Sequence, residues 1–184
     1  MNLPNKLTLM RVILIIPFLF FLMTDFCDPA GKWIALGIFI LASLTDMADG
    51  KIARKYNLVT TFGKFMDPLA DKLLVCSAMI ALISIPGQVV ALPSWIVIII
   101  IAREFIISGF RLIAAQKGVV IAAGYLGKFK TTFQMIMICF MIANIDHIIH
   151  IVITNVLMYI ALVLTIVSLI EYLVKNWSVM KDEQ

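Results

Sequence analysis

Four aspartates stand within twenty-six residues of this chain, in the runs Asp46-Met-Ala-Asp49-Gly50-Lys-Ile-Ala53-Arg54 and Gly63-Lys-Phe-Met-Asp67-Pro-Leu-Ala-Asp71. Asp46 and Asp49 are spaced i,i+3 and Gly50 and Ala53 continue their stripe, while Gly63, Asp67 and Asp71 follow one another at i,i+4. Each run, if helical, therefore presents one reactive face. Brought side by side, such acids repel by roughly 4 kcal/mol per pair at an effective dielectric near 20. The usual remedy is a hard divalent cation held by oxygen ligands. Two cations bridged by shared carboxylates clamp a transferring phosphoryl group, because the pair stabilises both the entering and the leaving oxygen. Gly50, Ala53 and Gly63 leave room for a nucleotide or pyrophosphate to approach the backbone. The plainer alternative, a solvated acidic face at a helix end, suits two isolated aspartates better than four in register with three small residues and Arg54. A calcium loop does not fit: the alternating ligand spacing is missing, and Asn57 stands at loop position twelve where a glutamate is needed.

The elements that must carry these residues are membrane helices. Of the 184 residues 62% are hydrophobic and only 14% charged, a balance that a soluble domain of this size could not hide. Six apolar stretches can be read, at about Leu7 to Met23, Lys32 to Leu44, Pro68 to Ile85, Leu92 to Ala115, Phe129 to Ile145 and Ile151 to Lys175, each long enough to span once interfacial residues are included. The expected fold is all-α: one integral membrane domain over residues 1–184, built as a bundle of six transmembrane helices. The second stretch qualifies only if its helix continues through Asp46 and Asp49, which makes the first acidic run the lower end of a span. The first stretch is too long, and too unlike a small-residue cleavage site, for a removable signal peptide; Pro17 inside it would at most kink the helix.

Of the fifteen lysines and arginines, only Lys32 falls on the side holding the 24–32, 86–92 and 146–150 connections. The positive-inside rule therefore predicts both termini and the aspartate runs in the cytoplasm. The formal charge of +4 suits anionic lipid headgroups and needs no nucleic-acid partner. Cys27, Cys76 and Cys139 are scattered, so neither a disulfide nor a thiolate metal site is expected. Asp146, His147 and His150 read as a solvated outer turn.

The fixed positions of Asp-x2-Asp-Gly-x2-Ala-Arg-x8-Gly-x3-Asp-x3-Asp are all filled along residues 46 to 71, and in this the chain resembles the CDP-alcohol phosphotransferase family. The resemblance extends to the six-helix layout and so covers essentially the whole chain. It implies two Mg2+ or Mn2+ ions on Asp46, Asp49, Asp67 and Asp71, with Asp71 also the base that takes the proton of the acceptor alcohol. Gly50, Arg54 and Thr60 would contact the CDP moiety, and Ala53 and Gly63 would give it room. A homodimer in the bacterial cytoplasmic membrane is implied as well.

The acceptor must be read from residues outside the signature. Arg103 and Arg111 lie eight apart, hence on about the same face of the fourth span, with Glu104 beside the first; Gly127-Lys128-Phe129-Lys130-Thr131 opens the fifth. An acceptor bearing a phosphate needs such cations. Arg111 and Lys128 are the first choice to hold it, Arg103 and Lys130 the second. Lysines at span ends also snorkel and anchor topology. Arg103 sits too deep in an apolar run for anchoring, so its other reading is a structural pair with Glu104 or another helix. The segments from Asn2 to Arg11, at Ala102-Arg103-Glu104 and from Gly127 to Thr132 resemble the phosphatidylglycerophosphate synthase branch of the family. That branch implies CDP-diacylglycerol as donor and sn-glycerol 3-phosphate as acceptor, with Asn5 to Thr8 an interfacial segment near the donor; taken alone, these residues read equally as a polar helix start.

Competing readings are a CDP-lipid phosphotransferase with another acceptor (phosphatidylglycerol, serine or an inositol phosphate), a membrane prenyltransferase, and a small divalent-cation transporter. A prenyltransferase should have more spans and two separated acidic clusters. A transporter should show ligands near the bilayer midplane in two repeated halves, and no repeat is visible.

Overall fold

The computed structural model describes residues 3–55, 61–119, 121 and 124–177, with side chains at all of these except 3–4, 46–55, 61–65, 67–68 and 71. Its helices run in order α1 (Leu3–Met23), α2 (Ala30–Lys55), α3 (Thr61–Ser84), α4 (Ser94–Gln116), α5 (Tyr125–Ala143) and α6 (Ile148–Asn176). Each apolar stretch read from the sequence is one of these helices. α2 continues unbroken through Asp46 and Asp49 to Lys55, as the short second stretch required. α1 passes through Pro17 without ending.

α1 is already helical from Leu3, so Asn5 to Thr8, expected as an interfacial segment before the first span, form its first turns. Asn5, Thr8, Arg11, Ile15 and Phe18 recur every three or four residues and are all buried, so a single face of α1 continues from the polar residues into the apolar ones.

Among the described residues three helical segments, Asn5–Met23, Tyr125–Ala143 and Ile148–Asn176, are long and apolar enough to cross a membrane; Ala30–Thr45 and Lys72–Ser84 are shorter apolar helices. Large apolar side chains such as Ile16, Ile98, Phe105, Leu112, Ile148 and Val174 are exposed along the helices. Lipid tails satisfy such a surface and water does not.

The helices form two compact units: Met1–Val89 with Ile138–Ile145, and Val90–Met137 with Asp146–Gln184. In the first, α1 lies against α2 and α3, which also touch one another. Lipid contact removes most of the hydrophobic drive between helices, so close backbone approach and van der Waals packing must replace it. The buried positions suit that need: Gly31, Ala35 and Ala42 on α2, and Ala70, Ala78 and Ala81 on α3, with Phe18 of α1 set against Phe39 at a centroid distance of 5.7 Å. At Gly31 a Cβ would stand 3.0 Å from the Phe26 carbonyl oxygen and 3.2 Å from that of Phe21, so no larger residue fits without moving backbone.

In the second unit, α4 packs on α6 around Ile107, Phe110 and Tyr172, with Ile121, Leu169 and Leu173 beside them. α4 closes with Gly118 at φ +75°: the Val119 N–H donates to the Ala114 carbonyl and the Gly118 N–H to that of Ala115. This is the Schellman arrangement, in which the left-handed residue lets the chain turn back on the last carbonyls.

At the far end of the first unit, Asn144 follows α5 at φ +43°. Its side-chain oxygen accepts from the Val89 N–H at 2.9 Å, and its amide nitrogen donates to the Gly87 carbonyl at 3.3 Å. One side chain thus fastens the 85–93 connection to the end of α5. Asn144→Gly keeps the left-handed backbone accessible and deletes both bonds. It should cost about 1 kcal/mol, visible as a melting temperature lowered by a few degrees in detergent, with both substrate KM values unchanged.

Candidate active site

The aspartates enter the structure on two touching helices. Asp46, Asp49, Gly50, Ala53 and Arg54 lie on the last turns of α2; Gly63, Asp67 and Asp71 lie on the first turns of α3. The i,i+3 and i,i+4 spacings therefore act on real helices, and each acidic run holds one register stripe. Thr60 lies outside the described residues. The donor set these helices carry is four carboxylates, all hard oxygen ligands of the kind that Mg2+ and Mn2+ prefer. Among the described residues, no group of three histidine, cysteine or acidic side chains gathers elsewhere. At the start of α6 the His147 ring nitrogen Nδ1 accepts from the Ile149 N–H and so caps the helix.

α1 brings a third polar stripe into the same unit. Asn5 and Thr8, expected near the donor, are buried, and Arg11 is buried completely on the same face. Arg11 was not singled out from the sequence. Its signal was available: it continues Asn5 and Thr8 at a spacing of three, and a fully buried cation at the end of a transmembrane helix is uncommon without a role.

The four cations proposed from the sequence for the acceptor, all in the second unit, divide into two pairs. Arg103 and Lys130 are 8% and 1% exposed, and they meet at one carboxylate. Arg103 donates from Nη1 to Glu104 Oε1 at 2.9 Å, and Lys130 Nζ donates to the same oxygen at 2.5 Å. Nη2 of Arg103 donates to Ser168 Oγ at 3.1 Å, and that hydroxyl donates onward to the Thr165 carbonyl. Arg103 thus makes the structural pair that was the alternative reading of it, and Lys130 joins it from α5. Desolvated charges are held in this way because an unpaired one would be far costlier.

Arg111 and Lys128 are exposed and sit over aromatic rings. The Arg111 guanidinium carbon lies 5.7 Å from the centre of the Tyr172 ring, and Lys128 Nζ lies 5.5 Å from that of Tyr125. Among the described residues neither is paired with an acid. Cation–π contact orients a guanidinium while leaving its N–H groups available to an anion. Tyr172 is held in turn by Phe110, edge to face at 5.6 Å. Tyr172 and Ser168 are not legible in the sequence, because they come from α6, more than fifty residues away in the chain, whereas Tyr125 precedes Lys128 by three residues on α5 itself.

The sequence pattern described as CDP-alcohol phosphatidyltransferase matches residues 1–167. The chain is 42% identical to the CDP-diacylglycerol–glycerol-3-phosphate 3-phosphatidyltransferase of Bacillus subtilis, over 98% of this chain and 97% of the relative. It is 41% identical to the protein of that name from Rickettsia typhi, over 93% and 94% of the two chains. With the Haemophilus influenzae protein of the same name the identity is 38%, over 94% and 91%.

Proposed function

Because the chain belongs to the CDP-alcohol phosphatidyltransferase family, we propose that it transfers the phosphatidyl group of CDP-diacylglycerol to sn-glycerol 3-phosphate, giving phosphatidylglycerophosphate and CMP. The observation that carries this reading is the 42% identity along nearly the full length of a relative bearing that activity in its name. The complete aspartate signature across α2 and α3, within the matched region, is consistent with it.

The roles follow from the chemistry of the residues. Asp46, Asp49, Asp67 and Asp71 would hold two divalent ions, which supply positive charge for the phosphoryl oxygens and for the departing nucleotide. Asp71 accepts the proton of the acceptor hydroxyl. That oxygen forms a bond to the lipid-side phosphorus as the bond from phosphorus to the CMP oxygen breaks, and no covalent enzyme intermediate is needed. Gly50, Ala53 and Gly63 leave backbone room for the CDP moiety, which Arg54 and Thr60 contact. Asn5 and Thr8 lie toward the donor lipid. Arg111 and Lys128 hold the acceptor's phosphate. Their exposure, and their lack of an acid partner among the described residues, support them over Arg103 and Lys130, which already share Glu104.

The same reading makes residues 1–184 one catalytic domain of six transmembrane helices, since the family match runs through both compact units. Both termini and the aspartates face the cytoplasm, which the clustering of cations on one side of the spans supports. The donor's acyl chains then stay in lipid while its nucleotide and the polar acceptor reach the aqueous edge, in an enzyme that works as a homodimer.

Exhaustive chelation of the purified enzyme should cut CMP release by about two orders of magnitude or more, with recovery on adding Mg2+ or Mn2+; turnover that survives metal removal would contradict the metal assignment. Asp71→Asn should keep CDP-diacylglycerol binding and lower kcat by about 10² to 10⁴. Arg111→Ala should raise the KM for sn-glycerol 3-phosphate about tenfold to a hundredfold, the worth of a charge-assisted hydrogen bond, and leave the KM for the lipid donor in place; initial-rate kinetics in mixed micelles read both.

A further inference from the structure

Glu104 has no part in the chemistry above, yet it is the only acid that Arg103 and Lys130 share among the described residues. We propose that Glu104 is the positioning residue of the acceptor site: it sets the register of α5 against α4, and thereby the placement of Lys128 relative to Arg111. The inference rests on the assignment of those two cations to the acceptor's phosphate.

Three observations within the second unit carry it. First, a single oxygen of Glu104 takes both Lys130 Nζ from α5 and Arg103 Nη1 from α4. Two cations drawn to one oxygen repel each other, so their separation is defined only while the carboxylate lies between them. Second, the first turn of α5 lies beside this network. A Cβ at Gly127 would stand 3.3 Å from Arg103 Nη2, and Lys128 is the next residue, two before Lys130. A displacement of the first turns of α5 therefore alters the Glu104 contact and the placement of Lys128 together. Third, α6 takes both α4 cations on one stripe: Ser168 accepts from Arg103, and Tyr172, one turn on, lies beneath Arg111. Arg111 is about 12 Å beyond Arg103 at 1.5 Å per residue, so the orientation of α4 at Arg103 carries through to it.

A buried ionic network is a poor way to add stability, since well-packed apolar residues do as well. What it adds is direction, because charged hydrogen bonds have one good geometry where apolar contacts tolerate several. The surplus of positive charge in the network also gives a test of sign. If Arg103 and Lys130 were themselves the phosphate ligands, Glu104 would compete with the substrate, and removing it would tighten binding. If Glu104 positions Arg111 and Lys128, removing it weakens binding.

The experiment compares wild type, Glu104→Gln, Glu104→Asp, Arg111→Ala and the Glu104→Gln/Arg111→Ala double variant, as full-length enzymes in detergent micelles containing CDP-diacylglycerol. The readouts are both KM values, kcat and thermal unfolding. Glu104→Gln should raise the KM for sn-glycerol 3-phosphate about tenfold, a loss in the range that ångström-scale misplacement produces, with the donor KM within about twofold of wild type. Glu104→Asp keeps the charge and shortens the reach, so it should fold like wild type and still raise the acceptor KM; it decides the matter if the Gln variant does not fold. In the Arg111→Ala background the Gln change should add less than about twofold. A wild-type acceptor KM in Glu104→Asp would reduce Glu104 to a charge neutraliser and overturn the proposal, and a lowered KM in Glu104→Gln would overturn it in favour of Arg103 and Lys130. An unchanged KM in Arg111→Ala would instead overturn the acceptor assignment on which the proposal rests.

Discussion

Charge placed among apolar helices must be answered by charge, and this protein answers it in two opposite ways. On α4 and α5 the cations Arg103 and Lys130 close on Glu104, an internal carboxylate, and with Ser168 they form a finished network. On α2 and α3 the acids Asp46, Asp49, Asp67 and Asp71 outnumber the one arginine of their signature, and in the proposed function their neutralisation is left to divalent ions. The first arrangement holds helices in place. The second, on that proposal, leaves charge to be completed by ligands, as a site for phosphoryl transfer requires.

The same constraint explains the packing. Helices that leave large apolar residues exposed along their length gain little from hiding more of them. The first unit relies instead on glycine and alanine at the contacts of α2 and α3, with a few large side chains such as Phe18 and Phe39 placed where the small ones leave space. The result is close packing of the two helices that carry the acidic stripes. At the opposite end of that unit Asn144 fastens the chain at Gly87 and Val89 with two hydrogen bonds.

Aromatic rings give the second unit a way to hold a cation without neutralising it. Glu104 orients Arg103 and Lys130 and cancels part of their charge; Tyr172 and Tyr125 lie against Arg111 and Lys128 and leave their charge whole. A ring quadrupole attracts a cation and offers its N–H groups no acceptor, so they stay available to a phosphate. The division between the two pairs is therefore chemical, between cations that build and cations that can bind.

The sequence by itself determined the six helices and the membrane character, because hydrophobic runs of spanning length follow from composition alone. It also determined which acids act together, since i,i+3 and i,i+4 spacing fixes a stripe on any helix. Its resemblance pointed to the family that the relatives then bore out. The division of labour among the cations was decided only by tertiary structure. Arg103, Arg111, Lys128 and Lys130 look alike as residues in a chain; the pairing of Arg103 with its neighbour Glu104 is local, but what separates the rest is contact across helices that no local spacing brings about: Lys130 with Glu104, Arg111 with Tyr172, Arg103 with Ser168. The helical start of α1 at Leu3 belongs to the same class, because burial of Asn5, Thr8 and Arg11 along one face comes from the helices packed around it. Periodicity is local physics and can be read along a chain; the pairing of charges across helices is settled only where folding puts them.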